Sequence, residues 1–402
     1  MASTLLTEEL RGYALSIGFD LVGVTSAEPF PETERVLLER IERGLMRGLP
    51  WFTPERVRFS ADPRNHTPTA RSIVSLGMSY LSAEDGPNPL VPFPRGEGGT
   101  DSPPRRGEGL GERSAPPLSG LVARYAWGED YHRVVGDRLK LLAAWLRDRA
   151  GATMPARIFV DTGRMVDRAV AQRAGLGWFG KNTSILTRGY GSWVFLAEVL
   201  TDVPLEADQP LRATCGACVR CVEACPTGAI VGPGVLDNAR CISYLTIELR
   251  GWMPRALRPL VGAWLFGCDV CQNVCPVNRK ARPGSHPELA PDRGIGPAPA
   301  LLPLLRLTDE EFRARFRGTP ITRAKRQGLL RNAAVALGNL GDLRAVPAVV
   351  DALEDRDPVV RGHAAWALGR IGGKAARRAL EATRGREEDA RVRDEVELAL
   401  SQ

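Results

Sequence analysis

The stretch CGACVRCVEACPTG, residues 215–228, places four cysteines in the spacing C-x2-C-x2-C-x3-C, followed by proline. A second stretch, FGCDVCQNVCPVN at 266–278, repeats this pattern without its leading cysteine, and Cys241 lies between the two. Thiolates at this spacing bind iron-sulfur clusters, three on one cluster and the fourth on another. The eight cysteines of the chain therefore predict two complete 4Fe-4S clusters.

Such runs are typical of bacterial ferredoxins, in which the last cysteine of each run crosses to the other cluster. The first predicted cluster has the ligands Cys215, Cys218, Cys221 and Cys275. The second has the ligands Cys225, Cys241, Cys268 and Cys271. Two zinc ribbons are the alternative, but zinc sites normally show paired C-x2-C knuckles. We therefore expect a ferredoxin-like segment that passes single electrons.

The cysteines also indicate the compartment, because all eight lie within residues 215–275 of a 402-residue chain. A secreted disulfide framework would be more evenly spread. The first twenty residues, MASTLLTEELRGYALSIGFD, show neither a signal-peptide pattern nor twin arginines. We expect a cytoplasmic protein that does not bind a membrane. The net charge of +7 permits an anionic partner such as RNA.

The sequence predicts a multidomain protein of the α/β or α+β class with three domains. Residues 1–205 alternate helix and strand patterns, which favours an α/β domain, and residues 206–282 form the ferredoxin-like domain. Residues 283–402 contain a proline-rich linker and a helical array. Within the first domain, residues 84–119 are rich in Gly, Pro, Ser and Arg, which predicts a flexible insertion.

Local signals predict individual elements of the first domain. Thr7 is the expected N-cap of the first helix, and Gly18 its expected end. Alternating or continuous apolar residues predict strands at 21–24, 72–79, 157–160 and 193–199. Helices are expected at 131–149 and 165–174.

The tail contains an internal repeat. AAVALGNLG at 333–341 recurs as AAWALGRIG at 364–372. The second copy starts 31 residues after the first. Paired helices that repeat at this interval, with small residues where the helices approach closely, indicate HEAT-like repeats. A plain helical bundle without true repeats is the alternative. Arginines in or beside these helices are candidates for phosphate contacts: Arg331, Arg344, Arg361 and Arg370.

The most unusual run outside the cysteines is VDTGRMVDRAVAQRAGLGWFGKN, residues 160–182. It places Asp161 at the end of a predicted strand, where α/β folds commonly position ligands. A glycine-rich loop then leads to Lys181 and Asn182. This predicts a pocket for a flat or anionic ligand of unspecified kind, although such an aspartate is often only a capping residue.

Several motifs together resemble the epoxyqueuosine reductase family. They are ARYAWGEDYH at 123–132, FVDTG at 159–163, RAGLGWFGKN at 173–182, CISYLTIELRG at 241–251 and the two cysteine runs. The resemblance implies a cobalamin-dependent oxidoreductase with two 4Fe-4S clusters and an α/β cobalamin-binding domain. It also implies the reaction, which is removal of the epoxide oxygen of epoxyqueuosine at the wobble position of tRNA, the last step of queuosine synthesis.

The family's functional residues carry over to matching positions. Asp161 corresponds to the proposed proton donor, and the resemblance assigns the corrin pocket to Arg58, Tyr125, His132, Lys181, Asn182 and Ser184. It further implies a monomer that receives electrons from an external flavodoxin or ferredoxin and binds the anticodon arm of tRNA. This chain has Arg164 and Asp167 where the family usually has proline and glutamate.

Two other functions fit parts of the sequence. A corrinoid reductive dehalogenase shares the plan of one corrin and two clusters but usually carries a twin-arginine signal. A non-catalytic ferredoxin-type electron carrier on a helical scaffold would explain the cysteines and the repeats, but it leaves the predicted pocket of GLGWFGKN at 175–182 without a role. Cobalt content distinguishes an electron carrier from a corrinoid enzyme.

Overall fold

The computed structural model describes residues 2–82, 117–150 and 156–401. The predicted insertion at 84–119 therefore lies outside the described residues except for its last three. Of these, Ser119 forms an isolated antiparallel bridge with Ala300 of the third domain. Within the described ranges, no helix is both long and apolar enough to cross a lipid bilayer.

The first domain combines five helices with seven strands in its described part. The helices are α1 (Ala2–Ser16), α2 (Pro31–Glu42), α3 (Pro54–Ala61), α4 (Tyr131–Ala150) and α5 (Asp167–Arg173). The strands are β1 (Leu21–Ser26), β2 (Ser72–Ser79), β3 (Leu121–Val122), β4 (Arg157–Phe159), β5 (Gly177–Phe179), β6 (Ile185–Thr187) and β7 (Val194–Thr201).

The main sheet has the strand order β1-β2-β7-β4, and every neighbouring pair is antiparallel. Helices α1 and α4 pack against one face of this sheet. Helix α5 contacts β2 and β7 from the opposite face. Helices and strands do alternate along the chain, but the helices do not connect neighbouring parallel strands. The first domain thus contains the expected helices and strands, but the strands of its main sheet are antiparallel.

The first helix begins earlier than the sequence predicts. Thr7 lies inside α1, where its hydroxyl donates to the Ser3 carbonyl at 2.8 Å and accepts the Glu206 backbone N–H at 2.9 Å. The predicted N-cap role of Thr7 is therefore wrong, because α1 already begins at Ala2. The hydroxyl instead joins α1 to the distant segment at Glu206. Gly18 does follow the helix end, with φ +98°.

The ferredoxin-like domain consists mainly of turns and very short elements. Its helices are α6 (Arg220–Glu223), α7 (Arg258–Val261) and α8 (Val270–Asn273), and its strands are β8 (Ile230–Gly232), β9 (Val235–Leu236) and β10 (Trp264–Phe266). Strand β10 pairs in parallel with β3 of the first domain. The cysteine segments are therefore fastened directly to the first domain.

The third domain is helical. Its helices are α9 (Asp309–Phe316), α10 (Lys325–Leu340), α11 (Val346–Asp351), α12 (Pro358–Ile371), α13 (Lys374–Arg384) and α14 (Ala390–Leu400). Helix α12 packs between α10 and α14. A Cβ atom on Gly338 would lie 2.7 Å from the Trp366 ring, and one on Gly369 would lie 2.8 Å from Ala399. The repeated glycines thus permit close helix stacking.

Arg331 does not have the predicted role of a phosphate contact. Its side chain is 0% exposed and donates to three backbone carbonyls of the ferredoxin-like domain, those of Leu245, Leu249 and Gly251. Burial lowers the pKa of the Arg331 guanidinium to about 9. Arg331 therefore joins the helical array to the segment that follows Cys241.

Candidate active site

Asp161 follows strand β4 and adopts φ +52°, a conformation that is uncommon for residues other than glycine. Its side chain is 67% exposed. The Tyr131 hydroxyl donates a 2.6 Å hydrogen bond to Oδ2 of Asp161, and Nε2 of His132 lies 3.9 Å from the same oxygen. The carboxyl group is thus open to solvent but held from behind by helix α4.

Tyr131 is fixed by aromatic packing. Its ring stacks on Phe195 of β7 with a centroid distance of 4.2 Å and an interplanar angle of 4°. The Tyr125 ring contacts it edge-on at 6.0 Å. Burial, and then the charge of Asp161, raise the pKa of Tyr131. The hydroxyl therefore remains a hydrogen-bond donor to Asp161 at physiological pH.

His132 lies at the start of α4. Its Nδ1 is 2.8 Å from Oδ1 of Asp130, whose backbone N–H donates to the Gly318 carbonyl of the third domain at 2.8 Å. These contacts orient the imidazole so that Nε2 faces Asp161. The arrangement agrees with a structural histidine at a helix start.

The loop after Asp161 is fastened to α3 and its neighbouring turn. Nη2 of Arg56 donates to the Gly163 carbonyl at 2.8 Å, and Nε2 of His66 lies 2.7 Å from the Arg164 carbonyl. The Arg164 guanidinium lies over the Phe59 ring at 5.3 Å. Arg56 is a residue that the sequence analysis missed, because nothing in a linear pattern distinguishes it from the predicted Arg58.

A buried pair of carboxyl groups lies close to Asp161. Glu198 is 0% exposed in the middle of β7, opposite Ser75 of β2 and Phe159 of β4, and it faces Asp167 at the start of α5. In the described part of the chain, neither Glu198 oxygen receives a hydrogen bond from a protein donor. Two facing carboxyl groups can bond only by sharing a proton.

The electrostatics agree with a shared proton. Burial, and then the charge of Asp167, raise the pKa of Glu198 well above its ordinary value. Burial, and to a smaller extent the charge of Asp161, raise the pKa of Asp167 to about 6, against the opposing effect of Glu198. The pair therefore carries a proton at neutral pH. The sequence signal for it was one acidic residue in the apolar strand FLAEVL at 195–200.

The glycine-rich run forms a hairpin of β5 and β6. The Gly180 N–H donates to the Ser184 carbonyl at 2.8 Å, and the Ser184 N–H donates to Oδ1 of Asn182 at 3.2 Å. Nζ of Lys181 donates to the Gly216 carbonyl at 2.7 Å, beside Cys215. The turn of this hairpin thus contacts the first cysteine run.

The structure only partly unites the predicted pocket residues. Tyr125, His132 and Asp161 meet around Tyr131. Lys181, Asn182 and Ser184 share the β5–β6 turn. Arg58 is exposed on α3, and no described contact joins it to either group. In the β5–β6 hairpin, two buried donor atoms have no partner among the described residues, Nε1 of Trp178 and Nδ2 of Asn182. These donors fit a polar cofactor with many acceptors.

All eight cysteines have free thiols. Burial raises the pKa of Cys221, with smaller contributions from the neighbouring thiols of Cys215, Cys275 and Cys218. Burial likewise raises the pKa of Cys268, whose thiol neighbours are Cys271 and Cys241. Within the described ranges, no three Cys, His, Asp or Glu side chains converge on a single metal ion. A four-iron cluster does not require this, because each thiolate binds a different iron.

The turns around the cysteines suit a cluster. Gly216, Gly228 and Gly267 have φ values of +51°, +59° and +72°, which glycine adopts without strain. The Ala229 N–H donates to Sγ of Cys225 at 3.2 Å. Backbone amides can therefore approach sulfur, as in iron-sulfur sites.

A hydrogen-bond network ties the second cysteine run to the first domain. Oε1 of Gln272, which lies between Cys271 and Cys275, accepts from the Ser192 hydroxyl at 2.8 Å and from the Tyr80 hydroxyl at 3.3 Å. Nδ2 of Asn278 donates to Oγ of Ser192 at 2.8 Å. The sheet that leads to Asp161 and the predicted clusters are thus held in one assembly.

The third domain also reaches the site. Arg323 makes a two-pronged ion pair with Glu248 at 2.8 and 2.9 Å, and its charge interacts with Asp161 and Tyr131. The hydrogen bond with Glu248 raises the pKa of Arg323. An exposed cation from the third domain therefore lies within electrostatic range of Asp161. The arginines that the sequence singled out did not include it.

Three protein-family models match the chain. Residues 61–162 match the model described as "Epoxyqueuosine reductase QueG, DUF1730", residues 214–278 a "4Fe-4S double cluster binding domain", and residues 321–401 "HEAT repeats". The last two confirm the predicted ferredoxin-like domain and the predicted repeats in the tail.

Curated relatives match almost the whole length. An epoxyqueuosine reductase of Bacillus subtilis (strain 168) is 37% identical over 396 residues, which are 98% of this chain and 95% of that protein. One of Escherichia coli (strain K12) is 34% identical over 363 residues, which are 90% of this chain and 89% of that protein.

Solved structures agree. A crystal structure of epoxyqueuosine reductase with an epoxyqueuosine-modified tRNA-Tyr stem loop is 36% identical, has a TM-score of 0.86, and covers 99% of this chain and 98% of that one. A structure of the Bacillus subtilis enzyme with its catalytic loop swung out of the active site has a TM-score of 0.85, with 36% identity and the same coverage. With relatives of this similarity, neither alternative function is retained, and the chain belongs to the epoxyqueuosine reductase family.

Proposed function

We propose that this protein reduces epoxyqueuosine to queuosine at the wobble position of tRNA. The observation that carries the proposal is the near-complete match to epoxyqueuosine reductases, in a chain that contains Asp161 and eight cysteines in ferredoxin-like spacing. The proposal includes a cytoplasmic monomer that takes electrons from an external flavodoxin or ferredoxin.

The cofactors of the proposal are two 4Fe-4S clusters on the predicted cysteine sets and one cobalamin beside Asp161. Bound there, cobalamin would supply a strong reductant and nucleophile for the epoxide, with electrons delivered singly through the clusters. The buried donors of Trp178 and Asn182 would bind its polar groups, and Nε2 of His132 would accept a hydrogen bond from it. As the family resemblance implies, we propose no histidine ligand to cobalt.

Asp161 is the proposed proton donor. Removing the epoxide oxygen as water consumes two electrons and two protons, so an acid must meet the leaving oxygen. Tyr131 engages Oδ2 of Asp161, which leaves Oδ1 to face a substrate. The bond from Tyr131 and the contacts of Arg56 and His66 with the following loop position this carboxyl group. By analogy with the Bacillus subtilis structure, release of these contacts would let the loop swing away.

The proposed substrate is the anticodon arm of tRNA. Exposed Arg323 would contact its phosphates near the modified nucleoside, because a guanidinium forms strong charge-assisted bonds with phosphate. This assignment replaces the buried Arg331. Arg323 would exchange its ion pair with Glu248 for a phosphate. Arg344 and Arg361, which pair with Asp342 and Glu387, stay predicted phosphate contacts on the same terms.

Asp161→Asn tests the proposal. The variant keeps the size and hydrogen bonding of the side chain but removes its acidic proton. We expect cluster and cobalamin spectra to persist while turnover on epoxyqueuosine-containing tRNA falls by about 10² to 10⁴, measured as queuosine by nucleoside mass spectrometry. Asp148→Asn, at an exposed aspartate of α4, is the matched control. Turnover of Asp161→Asn at the level of this control would rule out Asp161 as the proton donor.

A further inference from the structure

An open groove of about 450 Å³ lies between α6 and α8. It is lined by Arg220, Glu223, Ala224, Asn273, Val274 and Arg279. The two helices that form its walls belong to the two cysteine runs, one from each half of the ferredoxin-like domain. The groove therefore lies where the halves meet at the surface.

The lining residues are direct neighbours of proposed cluster ligands. Arg220 precedes Cys221, Ala224 precedes Cys225, and Val274 precedes Cys275. Consecutive Cα atoms are about 3.8 Å apart. These three lining residues therefore lie about that far, Cα to Cα, from ligands of both predicted clusters. Cys275 itself is buried. A molecule seated in the groove would thus approach both clusters without entering the protein.

The groove and its rim carry unpaired positive charge. Arg220, Arg279 and the adjacent Lys280 are exposed, and among the described residues none of them forms an ion pair. Glu223 is the one acidic residue of the lining. Many exposed arginines elsewhere are paired, for example Arg323 with Glu248. Cations without partners beside a redox centre favour an anionic partner by charge complementarity.

We propose that this groove is the docking surface for an acidic one-electron carrier protein. The proposal rests on the proposed function, because it requires clusters on the eight cysteines. At each encounter the reduced carrier loses one electron and the nearer oxidised cluster gains it. Weak redox encounters bury little surface, so a small groove with a charged rim is sufficient.

RNA is the competing polyanion for this surface. The tRNA has to bring its modified nucleoside to Asp161, whose neighbours are Tyr131, His132 and Arg323. None of these residues lines the groove. The groove residues instead flank cluster ligands, which favours an electron carrier over RNA.

The test reverses the charge of the groove. In the cluster-loaded protein, Arg220→Glu combined with Arg279→Glu should slow cluster reduction by reduced flavodoxin about 10-fold or more at low salt, and should weaken the salt dependence of the rate. Anaerobic stopped-flow absorbance measures the rate. Reduction by dithionite should stay unchanged, because this small reductant does not need the docking surface. Binding of oxidised flavodoxin, measured by calorimetry, should weaken in parallel.

Arg378→Glu combined with Arg391→Glu is the matched control, since it makes the same charge change on exposed residues of α13 and α14. Unchanged reduction by flavodoxin in the groove variant would overturn the proposal. A loss of tRNA stem-loop binding with normal flavodoxin reduction would assign the groove to RNA instead. If the double variant loses iron, Arg279→Glu alone serves the same test. Failure of the wild type to form queuosine would refute the proposed function while leaving the reduction assay interpretable.

Discussion

Glu198→Gln tests whether the buried carboxyl pair holds a proton. In the wild type, the folded protein keeps this proton at a pH where the unfolded carboxyl groups have released it. A carboxyl group whose pKa is raised by folding contributes stability that is fully present below its unfolded pKa. That contribution is lost as the pH rises through the folded pKa. The wild type should therefore lose stability as the pH increases.

The magnitude follows from Asp167. Its pKa rises from 3.8 to about 6, which at about 1.4 kcal/mol per pH unit corresponds to about 3 kcal/mol, lost between about pH 4 and pH 6. The raised pKa of Glu198 extends the loss to higher pH. In the variant, the introduced amide donates to an ionised Asp167 without taking up a proton. Its stability should therefore depend less on pH, with an advantage over the wild type of about 1 to 3 kcal/mol at pH 8.

Thermal unfolding of the loaded protein at pH 5, 6.5 and 8 measures the effect. One kcal/mol shifts the melting temperature of a domain of this size by about 2 to 4 °C, so the variant should melt about 2 to 12 °C above the wild type at pH 8. The difference should shrink or reverse at pH 5. Glu310→Gln, at an exposed glutamate of α9, is the control. Parallel curves for the wild type and Glu198→Gln would show that the pair shares no proton.

Two further outcomes concern the clusters and the substrate. Cys241→Ser should reduce the iron content from about eight to about four per chain, because Cys241 completes only one set of four ligands; iron analysis after anaerobic reconstitution that still finds about eight would overturn the pairing. Arg323→Ala should weaken binding of a modified anticodon stem loop and lower the slope of log affinity against log salt by about 1. Arg313→Ala should leave both unchanged, and equal effects of the two variants in fluorescence titrations would contradict a local phosphate contact.

Local patterns determined much of this protein from the sequence alone. The apolar run at 72–79 is strand β2 with the predicted bounds, and the amphipathic run from Tyr131 is helix α4. Both succeed because the residues that define each element are neighbours along the chain. The cysteine runs were equally informative, since ligand spacing is itself a local property. The repeat in the tail likewise predicted its stacked helices.

Tertiary contacts decided the rest, because they join residues that are far apart in sequence. Arg331 appeared as a surface cation, but packing of α10 against the ferredoxin-like domain buries it among carbonyl groups. Thr7 appeared as a cap, but its helix continues past it toward the N-terminus. The partnership of Glu198 with Asp167 depends on how β7 and α5 meet, and a one-residue shift in a strand turns each side chain to the opposite face. Local spacing thus predicted the cysteine ligand sets and the single elements. The packing of the antiparallel sheet decided which distant side chains lie beside Asp161.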